Sequence, residues 1–269
     1  MPLPFPSAGP LPADVRRRLA TAYFGRRAYF YPETDSTNDV ALSLASAGEA
    51  EGTTVVADYQ RRGRGRRAHT WSSPAGKDLL FSVILRPEGD ARHALPVTLV
   101  TATAISVTLS KLLDVDVMVK WPNDVVTGSG KLAGILAESA SSGGRLSHVV
   151  VGIGVNVNAS EADFAGDLRG LAASCRTLSG VEWDRAELLA DLLGTIEAYY
   201  DRFKRDGFGT LSSAYEARLA QANRVVSFER DGARWSGRVA GVSPDGALVV
   251  RLDDGRRTEL FSEHVEVIA

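Results

Sequence analysis

Residues 60–67 read Gln60-Arg61-Arg62-Gly63-Arg64-Gly65-Arg66-Arg67, so five arginines and two glycines follow directly on the strand-like run 53–60. Such a segment does not pack into a core. Glycine lets the backbone approach a ligand closely, and guanidinium forks take carboxylate or phosphate in bidentate fashion. The chemistry on offer is anion binding. Taken alone, the loop reads equally as a mobile, solvated basic loop or as an unspecific nucleic-acid patch. A second stretch is more specific. Lys120-Trp121-Pro122-Asn123-Asp124 ends a strand-like run and enters a loop, and Gly130-Lys131-Leu132-Ala133-Gly134-Ile135-Leu136 follows. Lysine is scarce here, with only Lys77, Lys111, Lys120, Lys131 and Lys204 against 26 arginines. A lysine kept between Val119 and Trp121 points to a need for a compact point charge; a strand-edge lysine reaching out to solvent is the plainer alternative. Asn123 and Asp124 could cap the turn that Pro122 imposes, or reach a ligand and a metal.

Other chemistries find no support. A phosphate-binding P-loop ending at Gly130-Lys131 would need glycine where Val125 stands and a hydroxyl where Leu132 stands. Gly152-Ile153-Gly154 begins like a dinucleotide fingerprint, but Val157 occupies the third glycine position. No zinc-protease helix motif, Cys/His cluster or nucleophile-elbow motif is present, and His69, His93, His148 and His264 are scattered. A net charge of -2 makes the basic loop a local feature and argues against a general polyanion binder. Cys175 is the only cysteine, so no internal disulfide forms, as expected in a reducing compartment. No signal-peptide pattern or membrane-length apolar run is expected, which places the protein in the cytoplasm without a membrane.

The elements that must position these residues follow from periodicity and punctuation. Residues 1–13 read as a disordered leader with five prolines, followed by a short helix over 14–24, where Val15, Leu19 and Ala22 fall at helical spacing. That leaves no room for an N-terminal helix-turn-helix module. Strands are expected at 28–31, 53–60, 79–85, 116–121, 131–139 and 148–158, with a turn through Gly128-Ser129-Gly130 joining the fourth to the fifth. Helices are expected from the Asp35-Ser36-Thr37-Asn38 cluster to Ala47, over 95–113, from the Asp184/Glu187 capping pair to just before Gly207, and over 211–219. Past Asn223, short β-type runs are punctuated by Asp231-Gly232, Asp245-Gly246 and Asp254-Gly255, each a hairpin signal. The domains are therefore 1–220 and 221–269, the second a small barrel-like β module.

In order and spacing, these motifs resemble one family closely, the biotin protein ligases that act on acetyl-CoA carboxylase. The resemblance covers Asp35 to Asn158, through Ser36-Thr37-Asn38, Tyr59-Gln60, Gly63-Arg64-Gly65-Arg66-Arg67 with Trp71, Lys120 to Asp124, Lys131 to Leu136, and Gly152-Ile153-Gly154-Val155-Asn156. It implies an α+β catalytic domain with a mixed sheet and flanking helices, plus an SH3-like C-terminal barrel, in the monofunctional type without a DNA-binding domain. Carried over, Ser36, Thr37, Asn38, Gln60, Gly63 and Gly134 would line the biotin pocket. Arg64, Gly65 and Arg66 would close over the biotin tail and the activated phosphate, and Lys120 would contact the biotin carboxylate and α-phosphate, with Lys120 and Arg66 catalytic. Arg66, Arg67, Trp71, Asn123, Lys131 and Asn156 would serve the nucleotide, and Asp124 would help hold magnesium. The family's loop usually continues Gly-Arg where this chain has Ala68-His69.

The implied reaction makes biotinyl-5′-AMP from biotin and ATP with Mg²⁺, then transfers biotin to a lysine of a biotin carboxyl carrier domain. No DNA operator binding is expected, and a homodimer through an exposed sheet edge is open. A lipoate-type ligase and a nucleic-acid-binding module remain as alternatives. Short polar groups with both donors and acceptors at Ser36, Thr37, Asn38 and Gln60 favour a urea-bearing ligand over a dithiolane.

Overall fold

The computed structural model describes residues 8–90, 93–143, 145–164, 166 and 169–268. A seven-stranded mixed sheet dominates it, built from β1 (Ala28–Tyr31), β2 (Thr54–Ala57), β3 (Leu79–Leu85), β4 (Met118–Lys120), β5 (Asp124–Thr127), β6 (Gly130–Ser142) and β7 (Arg145–Val155). The strand order is β1-β2-β3-β7-β6-β5-β4, with β1 and β2 parallel and every other neighbouring pair antiparallel. The α+β fold with a mixed sheet is thus as expected.

Helices cover the sheet unequally. On one face lies the large core, where α3 (Ala94–Leu113) and α5 (Arg185–Asp206) pack with α1 (Ala13–Arg18) over Phe81, Val83, Leu85, Val151 and Ile153. The other face carries only α2 (Thr37–Ser46), whose Val40, Ala41 and Leu44 pack on Val55, Ile84 and Val150. Because side chains alternate along a strand, β3 sends Ser82 to the α2 face, β7 sends Gly152 and Gly154 there, and β6 sends Gly134, Leu136 and Glu138. Beyond the end of α2 these residues form an open floor. Two shorter helices, α4 (Cys175–Ser179) and α6 (Ser212–Glu216), lead into a five-stranded antiparallel sheet of β8 (Val225–Arg230), β9 (Ala233–Val242), β10 (Leu248–Leu252), β11 (Arg257–Leu260) and β12 (Val265–Val267). All three Asp-Gly pairs sit between its strands, with Gly232, Gly246 and Gly255 at positive φ.

Several elements differ from the sequence expectation, each for a physical reason. The first helix stops at Arg18, because the backbone N–H groups of Ala22, Tyr23 and Phe24 are taken at 2.7, 2.9 and 2.8 Å by the buried Glu197 carboxylate instead of by a helical turn. Residues 1–7 of the expected leader lie outside the described residues, but the rest of it is ordered: Gly9 pairs with Phe30, and Leu11 is buried. A strand not anticipated, β5, holds Asp124 opposite Lys120 in a tight hairpin, so Asp124 lies on a strand and not in a loop. Contrary to the expectation from apolar run length, α3 is long and apolar enough to cross a membrane, with mean hydropathy 1.4, yet 72% of that span is buried inside the protein.

Candidate functional site

A cleft of about 250 Å³ opens on the uncovered part of the sheet. It gathers residues from five separate sequence stretches and from the C-terminal module. Of the residues singled out in the sequence, Ser36, Thr37, Asn38, Gln60, Arg64, Gly65, Arg66, Arg67, Trp71, Lys120, Asn123, Asp124, Lys131 and Gly134 line it. Gly63 and Asn156 do not. The Asn156 amide donates to the carbonyls of Lys131 and Ala173 at 3.2 and 3.0 Å, so it holds the chain behind the site and has no amide hydrogen left for a nucleotide. Gly63 acts in the hairpin described below.

One end of the cleft is buried and neutral. Ser36 is the N-cap position of α2, which places Thr37 and Asn38 in its first turn, all three buried. Gln60 Oε1 accepts from the backbone N–H of Thr37 at 2.8 Å and lies 3.1 Å from its hydroxyl. Ser82 Oγ lies 2.8 Å from Thr37 Oγ1 and 2.6 Å from Asn38 Oδ1. A hydroxyl has one proton and an amide oxygen none, so Ser82 donates to Asn38 and receives from Thr37. Ser82 was not anticipated; its signal was a lone hydroxyl in the otherwise apolar strand Leu79–Leu85. The glycines of β7 let these groups sit close to the sheet. A Cβ at Gly152 would stand 2.0 Å from Asn38 Oδ1, and one at Gly154 would stand 2.4 Å from the Trp71 ring. Gly152-Ile153-Gly154 is therefore the floor of this cleft.

The other end is cationic. Residues 63–71 fold back as a hairpin: Trp71 N–H donates to Gly63 O at 3.0 Å, Arg64 bridges Thr70, and Gly65 N–H donates to His69 O at 2.7 Å. A Cβ at Gly63 would lie 2.4 Å from the Trp71 carbonyl oxygen, so the close approach of the two arms requires glycine there. At the tip, Arg67 and Ala68 both take left-handed backbone, φ 54° and 61°. Lys120 is fixed by its neighbour. Trp121 is buried, its backbone N–H donates to Gln221 Oε1 at 2.8 Å, and its indole donates to Gly246 O at 3.0 Å.

Charge pairing separates the cations into two groups. Arg61 and Arg62 pair with Asp35; Arg64 pairs with Asp39 and Glu138 at 2.7 and 2.8 Å; Lys131 pairs with Asp124 at 2.6 Å. By contrast, Arg66 and Lys120 form no ion pair among the described residues, and both line the cleft. Burial pulls the Arg66 pKa down, the neighbouring Arg67 pulls it further, and Asp124 acts in the opposite sense. Arg66 is thus a partly desolvated guanidinium whose nearest polar side-chain partner is Asn123 Oδ1 at 3.5 Å. Trp71 lies over Gly134 and Gly154 with Lys131 5.4 Å above its ring, and its buried indole N–H has no partner among the described residues. From the C-terminal module, Glu263, His264 and Val265 complete the wall, and Arg67 donates to Ser262 O at 2.5 Å. Nothing in the sequence marked these C-terminal residues as part of the site.

A site with neutral hydrogen-bonding groups at one end and unpaired cations at the other suits a small acid with a polar head. The model of the biotin/lipoate A/B protein ligase family matches residues 30–156. A biotin–acetyl-CoA-carboxylase ligase of Paracoccus denitrificans is 35% identical over 229 residues, covering 83% of this chain and 94% of that protein. The chain belongs to the biotin/lipoate protein ligase family. A second biotin–acetyl-CoA-carboxylase ligase of this family, from Mycobacterium tuberculosis, is 31% identical over 86% of this chain and 84% of its own length. Among solved structures, the biotin protein ligase of Aquifex aeolicus in complex with biotin and ATP superposes with a TM-score of 0.77 at 27% identity, over 90% of this chain and all of that one.

Proposed function

We propose that this chain is an ATP-dependent ligase that activates biotin as biotinyl-5′-AMP and transfers the biotinyl group to one lysine of a biotin carboxyl carrier domain. The observation that carries this function is the polarity of the cleft. Its neutral end, Ser36, Thr37, Asn38 and Gln60 backed by Ser82, matches a ureido ring, which needs donors and acceptors close together. Its cationic end, Arg66 and Lys120, holds two positive charges without partners where a carboxylate and an α-phosphate must meet.

In the first step a biotin carboxylate oxygen attacks the α-phosphorus of ATP. The bond to the bridging oxygen breaks, pyrophosphate leaves, and a mixed anhydride remains. Bringing two anions together is the main barrier, so fixed cations that meet the charge on the α-phosphate supply most of the rate. In the second step the ε-amine of the carrier lysine attacks the acyl carbon, AMP leaves, and the amide forms with loss of a proton. No enzyme nucleophile is called for. The sole cysteine, Cys175, is fully buried with its thiol pushed up to about 12 by that burial. The hairpin 63–71 over the cleft limits the access of water to the anhydride.

The fit of magnesium rests on one carboxylate. No cluster of three or more acidic, His or Cys side chains occurs among the described residues, but Mg²⁺ is commonly held by one or two carboxylates together with substrate phosphates. Asp124 would be that carboxylate once Lys131 turns to the nucleotide, and the ion would supply neutralisation of phosphate charge. The C-terminal sheet, in which β12 returns beside the first strand β8, supports the SH3-like module. Its Glu263-His264-Val265 edge points to a role in covering the nucleotide end. Against nucleic-acid binding stands the pairing of Arg61, Arg62 and Arg64 with carboxylates, which leaves no open cationic stripe.

Calorimetric titration with biotin and then with lipoate tests the assignment, followed by mass spectrometry of a carrier domain incubated with enzyme, biotin and ATP. Saturable biotin binding and one added biotinyl group are expected. Tighter binding of lipoate than of biotin would contradict it.

A further inference from the structure

The Glu138 carboxylate stands at the edge of the cleft, between Asn38 of the neutral end and Arg64 of the arginine hairpin. It projects from β6 on the open face of the sheet, two residues past Leu136. Its Oε2 accepts from Asn38 Nδ2 at 2.7 Å and from Arg64 Nη2 at 2.8 Å. Asn38 is buried, and its Nδ2 also donates to Leu136 O at 3.2 Å. Both amide hydrogens of Asn38 are therefore spent, and its Oδ1 already accepts from Ser82. What remains for a ligand is a lone pair on Oδ1. The reversed amide would set Oδ1 against two acceptors, Leu136 O and Glu138 Oε2, so the Glu138 carboxylate, at the shorter distance, and the Leu136 carbonyl together set which way the amide faces. On the other side, Arg64 spans Glu138 and Asp39, tying the first arm of the 63–71 hairpin to the sheet and to α2.

We propose that Glu138 is a positioning residue with two duties: it turns the Asn38 oxygen into the cleft, and it latches the Arg64 arm of the arginine hairpin. One carboxylate then links recognition of the ring to closure of the loop. The consequence is a specificity rule. Asn38 can accept an N–H from the ligand but cannot donate one, so the pocket selects acids whose ring carries an N–H. A dithiolane ring has none. This inference rests on biotin occupying the cleft, and the wild-type enzyme serves as the control for that.

The test uses the full chain and the variants Glu138→Gln and Arg64→Ala. Steady-state kinetics give KM for biotin and for ATP, and limited trypsin digestion reports cleavage within residues 61–67 with and without biotin. Glutamine can donate as well as accept, so it leaves the Leu136 carbonyl alone to oppose the reversed Asn38 amide, and it no longer forms an ion pair with Arg64. For Glu138→Gln the biotin KM is expected to rise roughly tenfold, the scale of one mispaired buried polar contact. The ATP KM should stay as in wild type, and biotin should no longer protect the loop. Arg64→Ala should lose that protection while keeping more of its biotin affinity, because Asn38 stays oriented. A purely structural role would not split the two KM values. Wild-type biotin KM and wild-type protection in Glu138→Gln would overturn the proposal. If that variant does not fold, retained protection in Arg64→Ala overturns it equally. Absence of biotin binding by the wild type would instead bring down the assigned function, and this inference with it.

Discussion

The two ends of the cleft are built on opposite principles. At the neutral end, Ser36, Thr37, Asn38 and Ser82 are buried; hydrogen bonds interlink Thr37, Asn38 and Ser82 with Gln60, and Asn38 rests on Gly152, which admits no extra carbon. At the cationic end, Arg67, Ala68, His69 and Lys120 are exposed, two consecutive non-glycine residues carry left-handed backbone, and Arg66 and Lys120 form no ion pair among the described residues. At the neutral end Thr37, Asn38, Gln60 and Ser82 orient one another before any ligand arrives, which gives selectivity at low ordering cost. The cationic end is complete only when an anion enters. On the proposed function, one end would select the acid and the other would perform the chemistry.

Substitutions at each end should separate these duties. The largest effect is expected for Lys120→Ala, which removes a preorganised charge and should slow adenylation by about 2–4 kcal/mol in the barrier, while calorimetry shows a much smaller loss of biotin affinity, that of one contact to the carboxylate. A parallel collapse of biotin binding would break the division between the ends. Next comes Gly152→Ala, whose new Cβ would stand 2.0 Å from Asn38 Oδ1. Overpacking there should weaken biotin binding by about 1–3 kcal/mol without changing the KM for ATP. Ser82→Ala takes away the proton that holds the Asn38 oxygen and should weaken biotin binding by about 1 kcal/mol. An unchanged biotin affinity in that variant would show that Ser82 is packing alone. The smallest effect is expected for Ala68→Gly. At φ 61° a side chain costs about 1–2 kcal/mol, partly offset by the greater freedom of glycine in the open loop. Release of the adenylate should slow a few-fold, read by filter binding; faster release would mean that the tip leaves this conformation when the adenylate binds.

Much of this architecture was legible in the sequence. β1 and β3 run over the expected residues, and α2, α3 and α5 begin and end within about two residues of expectation, the usual uncertainty of helix ends. Apolar or aromatic runs mark the two strands, and apolar spacing or a cap residue marks the three helices. The first helix was legible only in part, since its competitor is a carboxylate from residue 197, far along the chain. β5 was missed because four residues after a proline carry too little periodicity to declare a strand. The arginine loop and Lys120 were legible as an anion site by residue type, yet their division into paired and unpaired cations was not. That depends on Asp35, Asp39 and Glu138, which only the fold brings near. Asn156 is a different case: a polar residue inside a site-like motif whose two amide hydrogens serve the backbone behind the cleft. The Ala68-His69 departure from the family's loop gained a physical content, because Ala68 stands where the backbone is left-handed and glycine would be at ease.

The most direct test of the account is ATP–pyrophosphate exchange by the wild-type chain with a single acid present. Exchange is predicted to require biotin and to be absent with lipoate, because the neutral end accepts an N–H from the ring before the cationic end can act. Exchange of equal rate with lipoate, or without any added acid, would contradict it.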